Sequence, residues 1–178
     1  MRQILLVLLV FIGSNLFAQN TAWAVASSSV SFKIKNGGFN VDGKFGSATA
    51  TIIFDETKTT GNIIDATIDA KTINTGNGIR DGHLKKEEYF DIEKYPKILM
   101  KATALTKESN GSFKGNFKLT LKNITKDIVV PFTFSQKDGK GVFKGNFTIN
   151  RLDFGVGQSS MIMADKVTIT MVLNVIKK

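Results

Sequence analysis

The 178-residue chain has no cysteine. That excludes disulfides, thiol catalysis, cysteine-ligated zinc and a lipid-modified cysteine at a processed N-terminus. It holds one histidine, His83, whereas a catalytic zinc ordinarily takes a pair. No Gly-x-Ser-x-Gly turn is present to expose a nucleophilic serine. Arginine is confined to Arg2, Arg80 and Arg151, and direct base reading leans on arginine. The lysines stand singly (Lys33, Lys35, Lys44, Lys114, Lys118, Lys122, Lys144) and form no dense basic run. Nucleic acid is therefore not an expected partner. No apolar run approaches the roughly 20 residues that a spanning helix needs.

The longest apolar run, Ile4 to Ile12, lies inside residues 1–18, MRQILLVLLVFIGSNLFA. Arg2 precedes it, Gly13 to Asn15 breaks it, and Leu16-Phe17-Ala18 offers a cleavage site before Gln19. This is the layout of a cleavable secretory signal. The expected domains are a signal peptide, 1–18, and a mature domain, 19–178, in the periplasm or secreted. A domain of this length can be held by its core alone, so missing disulfides do not contradict export. Loss of Arg2 lowers the formal net charge from +9 by one. Such a charge suits solubility or transient contact with an anionic membrane surface. A homodimer stays open.

Most of the chain alternates apolar and polar residues, the period of a half-buried strand. Val30, Phe32 and Ile34 share one face of a first strand; Phe39, Val41 and Phe45 follow after Gly37-Gly38. Ala48 to Phe54, Ile64 to Ala70, and Ile98, Met100, Ala102 and Ala104 mark three more. Phe113 to Leu121, Ile128 to Phe134, Phe143 to Ile149 and Val167 to Val175 complete the set, with Asp138-Gly139 as a hairpin turn. The octet FKGNFKLT (113–120) recurs as FKGNFTIN (143–150). Two strands with similar pleat demands explain it, and Gly115 and Gly145 fall at inward positions where a bend or bulge is tolerated. About eight or nine short strands with tight turns predict an all-β antiparallel barrel.

The inner face is greasy: the chain holds 14 phenylalanines against two tyrosines and one tryptophan, and about eleven of the phenylalanines fall at inward positions. Phenylalanine needs no hydrogen-bond partner when buried. A barrel of about eight strands is wide enough either to be filled by its side chains or to hold one small ligand, and composition leaves both open.

Periodicity fails between Ile73 and Pro96, which predicts a short helical insertion near 77–95. Asn77 or Gly78 can start it, Ile79 and His83 lie one turn apart, and Arg80 and Asp81 can tie it to neighbouring loops. Tyr89, Phe90, Ile92 and Tyr95 can plug one barrel end. Glu87 and Glu88 are adjacent and point apart on a helix, which argues against a paired-carboxylate site.

These residues carry a family resemblance. INTGNGIRDGHLKKEEYFDIEKYPKI (73–98), SSVSFKIKNGGFNVDGKFG (28–46), GNFKLTLKNITKDIVVPF (115–132) and FTINRLDFGVG (147–157) resemble YceI-like proteins, bacterial periplasmic lipid-binding barrels of lipocalin-like form. Many members carry a histidine near the end of the first strand, where this chain has Lys35, Asn36 and Gly37. The resemblance implies a barrel holding a long amphiphile, polyisoprenoid or fatty-acid-like, for transport, storage or stress response. It implies no catalytic residue, metal or cofactor. A ligand tail along the axis is expected to meet Phe32, Phe39, Phe45, Ile68, Phe90, Met100, Phe117, Phe132, Phe147 and Met171. Arg80 or His83 is expected at the head group. The alternatives are a packed, ligand-free structural or interaction protein, and a hydrolytic or isomerising enzyme using His83.

Overall fold

The structure, a computed structural model, describes residues 21–58 and 60–178. The expected signal segment lies outside the described residues. Nine strands follow in order: β1 (Ala22–Asn36), β2 (Phe39–Phe45), β3 (Thr49–Ile53), β4 (Ile63–Asp69), β5 (Lys97–Lys107), β6 (Phe113–Leu121), β7 (Ile124–Lys137), β8 (Lys140–Asn150) and β9 (Met163–Lys177). Among the described residues one α-helix, α1 (Gly78–Leu84), lies between β4 and β5. Among the described residues no helix is long and apolar enough to cross a membrane.

All pairings are antiparallel, and β1 closes the sheet on β9. Eight strands make the barrel and β2 is the extra one. β1 is long enough to serve two neighbours along one edge: its first residues pair with β3 through Ala22 and Trp23, and Val30–Asn36 pair with β2. The outer edge of β2 is met by a bridge from Lys44 to Asn74, at the start of the insertion. The insertion thus takes its place beside the barrel mouth because β2 has no further strand to cover it.

The inward alternation holds with two instructive departures. β1 starts at Ala22, ahead of the expected first strand, because Ala22 pairs with β3 and Trp23-Ala24-Val25 pairs with β9 across a bulge before Ser27. On β5 a bulge between Ala102 and Ala104 shifts the parity, so Leu105 turns inward and Ala104, expected inside, is exposed. Asp138 and Gly139 both take positive φ, 51° and 72°, the conformation of a two-residue hairpin turn between twisted strands.

The inward glycines make room for rings. A Cβ on Gly115 would collide with the Phe117 ring, and one on Gly43 with the ring of Phe32, its cross-strand partner. Gly145, the equivalent of Gly115 in the repeated octet, has no ring over it; its nearest neighbour is Val130 Cγ1, at 3.3 Å from a would-be Cβ.

At one end of the barrel the rings meet. Phe54, just past β3, packs edge-on against Phe113, Phe134 and Phe143 at 5.1–5.2 Å between centroids. Trp23 lies edge-on to Phe134 at 5.3 Å and donates its Nε1–H to the Phe54 carbonyl at 2.9 Å. Phe113 stacks on Phe132 and Phe134 approaches Phe143 to 4.4 Å. This end is closed by its own core.

Candidate functional site

The other half of the barrel is not filled. An apolar cavity of about 210 Å³ runs from Phe132, Phe143 and Leu173 at its floor to Asn36, Arg80, Leu84 and Met163 at its mouth. An apolar cavity of roughly 150 Å³ already stays dry and admits benzene, so the void has room for part of an alkyl or isoprenoid tail.

Ten of the twelve residues expected around a ligand line this cavity: Phe32, Phe45, Ile68, Arg80, Phe90, Met100, Phe117, Phe132, Phe147 and Met171. Phe32 and Phe90 both pack on Phe45, with centroids 5.7 and 5.8 Å from it. Two residues are elsewhere. Phe39, expected inside, is 79% exposed. Its parity is that of Val41 and Phe45, which do line the cavity, but the β1–β2 hairpin carries it past the rim. His83, also expected at the head group, is exposed on α1 and borders an outer recess of about 290 Å³ instead of the deep cavity. That recess is walled by Asn36, Asn77, Ile79, Arg80, His83, Leu84, Tyr89 and Met163. Five of these, Asn36, Arg80, Leu84, Tyr89 and Met163, also line the cavity, so the recess is its antechamber.

The helix of the insertion is shorter than the 77–95 span expected. α1 runs only from Gly78 to Leu84, with Asn77 Oδ1 accepting from the Arg80 amide as its N-cap at 3.0 Å. Residues 85–95 continue as tight turns in which Asp91 takes positive φ, 47°. This coiling drops Phe90 into the barrel while Ile92 is buried beneath it.

Polar groups hold the mouth in shape. Asp81 Oδ1 accepts from the Thr75 amide at 2.9 Å and from Thr75 Oγ1 at 2.6 Å. The Thr75 hydroxyl hydrogen bond, then the Thr75 amide and the neighbouring Arg80 charge, hold the Asp81 carboxyl below its ordinary range despite opposition from desolvation. Arg80 donates from Nε to Thr75 Oγ1 at 2.7 Å and from Nη2 to the Thr75 carbonyl at 2.8 Å. Its Nη1 meets no protein acceptor among the described residues. Opposite, the buried Arg151 donates to the carbonyls of Ala164, Val156 and Gln158 and to Asp165 Oδ1, all at 2.8–3.0 Å. It shapes the β8–β9 loop. Lys122 Nζ joins the two sides, donating to the Glu87 and Gly155 carbonyls at 2.8 and 3.0 Å.

No group of three or more histidine, aspartate or glutamate side chains that could hold a metal occurs among the described residues. Glu87 is engaged by Lys94 at 3.0 Å. The expectations from sequence missed Asn36, Thr75 and Met163 at the mouth, while Tyr89, expected to help plug one barrel end, lines both the cavity and the recess. Asn36 ends β1 and Met163 begins β9, so only the closure of the barrel brings them together.

The fold has known relatives. A solved structure of BcnA from Burkholderia cenocepacia superposes with a TM-score of 0.79 at 26% identity, covering 83% of this chain and 95% of that one. A Campylobacter jejuni YceI protein gives 0.70 at 29% identity, covering 79% and 86%. A domain from Saccharophagus degradans described as polyisoprenoid binding gives 0.66 at 14% identity, covering 89% and 99%; at that identity it shows a shared fold. Among curated sequences, a UPF0312 protein of Shewanella oneidensis is 27% identical over 128 residues, 67% of each chain. A Vibrio parahaemolyticus UPF0312 protein is 26% identical over 110 residues, and the match spans 58% of its length. The YceI-like domain family model matches residues 23–175. Because that model spans nearly all of the described residues, the chain belongs to the YceI-like family.

Proposed function

We propose that the protein is an exported binding protein that holds one long-chain amphiphile, with its tail in the apolar cavity and its head in the outer recess. The observation that carries this is the unfilled cavity itself, dry-walled and continuous with an antechamber that adds Asn36, Asn77, Arg80 and His83 to an otherwise apolar wall. Each methylene moved from water into such a site contributes about 0.8 kcal/mol; immobilisation of the ligand offsets part of the total. Apolar contact is indifferent to where double bonds or methyl branches fall, so tail length matters more than tail chemistry. Arg80 orients the head, because its Nη1 faces no competing acceptor and a charge-assisted hydrogen bond to an anionic oxygen is among the strong ones. The polyisoprenoid binding described for the Saccharophagus neighbour supports an isoprenoid tail as one candidate cargo. A periplasmic or secreted location follows from residues 1–18, and carriage or storage of the lipid is the role such a location gives the cavity.

Native mass spectrometry of gently purified protein, followed by extraction into organic solvent, tests this. The expected result is a bound species on the order of several hundred daltons, drug-sized to lipid-sized, as suits one occupant of such a cavity. Protein that carries nothing, takes up no fluorescent fatty acid or isoprenoid and melts at the same temperature with and without lipid contradicts it.

A further inference from the structure

Four large apolar side chains at the mouth face solvent: Phe39 (79% exposed), Ile79 (77%), Ile162 (68%) and Met161 (fully exposed). They are neighbours by construction. The Gly37 amide donates to the Ile162 carbonyl at 2.8 Å, and Asn36 pairs with Met163, which joins the β1–β2 hairpin tip to the β8–β9 loop. Across the antechamber from Asn36 and Met163 stands α1, which carries Ile79. Two of its three segments are free of charge, and the third, α1, carries Arg80, Asp81 and His83 behind Ile79. Residues 36–40 (NGGFN) and 157–164 (GQSSMIMA) contain no ionisable side chain. The next residue outward on β1 is Lys35, and Lys166 lies just beyond the loop; both are exposed and neither has an ion-pair partner among the described residues. The carboxylates close by are already engaged: Asp42 by Lys33, Asp165 by Arg151 and Asp81 by Thr75.

We propose that this lip inserts into the surface of a bilayer bearing anionic head groups, so that the cavity mouth opens toward the membrane. The proposal builds on the carrier function for its purpose and on the lip geometry for its evidence. Clustered exposed apolar residues mark an interaction surface, whereas the other exposed apolar residues, such as Leu99 and Val129, are spread singly over the barrel wall. Uncharged tips enter the head-group region without the cost of stripping water from an ion. Flanking lysines are then drawn to the negative surface, an attraction that falls off within a Debye length. A tail leaving a bilayer by this route passes from one apolar medium to another without crossing water.

Flotation with vesicles of phosphatidylcholine, with and without phosphatidylglycerol, tests the lip. The wild-type protein is expected to float with the anionic vesicles and to be released by high salt. The variant Phe39→Asn/Met161→Gln/Ile162→Ser, which leaves every residue of the cavity and the recess in place, is expected to lose about tenfold or more in partitioning, since buried apolar area sets interfacial binding. It should still bind a soluble fluorescent fatty acid as the wild type does. A tryptophan introduced by Phe39→Trp should shift its emission to the blue on vesicle addition, while one introduced by Val129→Trp on the wall should not. Equal flotation of the triple variant and the wild type overturns the proposal, as does a blue shift at both tryptophan sites. A wild type that takes up the probe but ignores vesicles also overturns it and leaves the carrier function standing. A protein that floats through its lip but binds no probe supports the lip and sinks the carrier function instead.

Discussion

The two ends of the barrel are built from the same residue type and do opposite things. At the closed end, Phe54 steps off β3 into the axis and meets rings from β6, β7 and β8, and Trp23 fixes its carbonyl. Toward the mouth, Phe32, Phe45 and Phe90 pack in a chain, and the cavity wall also carries small or aliphatic positions: Ala48, Ala66, Gly145 and Ile169. Phenylalanine content therefore does not decide whether a barrel is full. Placement decides it, through one ring on the axis at one end and small or aliphatic wall positions at the other.

Phe54→Ala should break the comparison most severely. It removes the hub of the closed end and is expected to cost about 4 kcal/mol, the range for a large ring deleted from a packed core, measured by urea unfolding. Phe90→Ala, whose ring already borders a void, should cost roughly 1–2 kcal/mol, because less contact is lost where one side has no neighbours. Equal losses at the two positions would remove the distinction between packed and open ends.

Arg151→Met should come next, at about 3 kcal/mol, because it strands one buried carbonyl, two part-buried carbonyls and a carboxylate that the guanidinium now satisfies. Its effect should concentrate at the mouth, as faster amide exchange over residues 155–165.

Gly145→Leu and Gly115→Ala sharpen the comparison inside one repeated octet. The first projects into the cavity past Val130 and should weaken lipid binding about tenfold with a small change in stability, since overpacking is mild where space exists. The second collides with the Phe117 ring and should destabilise by roughly 1–3 kcal/mol. Probe titration and thermal melting separate the two.

The smallest effect concerns acid. Asp81 is held below its ordinary value of 3.8 by Thr75 and Arg80. A carboxylate with a lowered folded pKa stabilises the fold above its unfolded value, and that contribution is lost as pH falls through the folded pKa. The Thr75–Asp81–Arg80 cluster should therefore loosen only as pH drops below 3.8, and Asp81→Asn should show a shallower loss of melting temperature across that window.

Much of this was legible in the residues. Alternation marked all nine strands, and Asn77 as a helix start follows from capping chemistry alone. The bulge at Thr103 was not legible, because an extra residue leaves the composition of β5 unchanged and only reverses parity beyond it. Phe39 misled for a related reason: period two states which face a side chain occupies and not whether the strand still has a barrel behind it. Nor could the void be read, since packing depends on which rings reach the axis. Asn36 and Met163 became mouth residues only when β1 met β9.

The central claim is that the space between the mouth and Phe132 is where a lipid tail lies. Ala66→Phe places a ring at mid-depth, on a wall position paired with Met100. Titration of a fluorescent fatty acid into wild type and variant, with melting curves recorded on both, is the direct measurement. The account predicts that the variant keeps its fold and loses most of its affinity. Undiminished binding by a folded variant would contradict it.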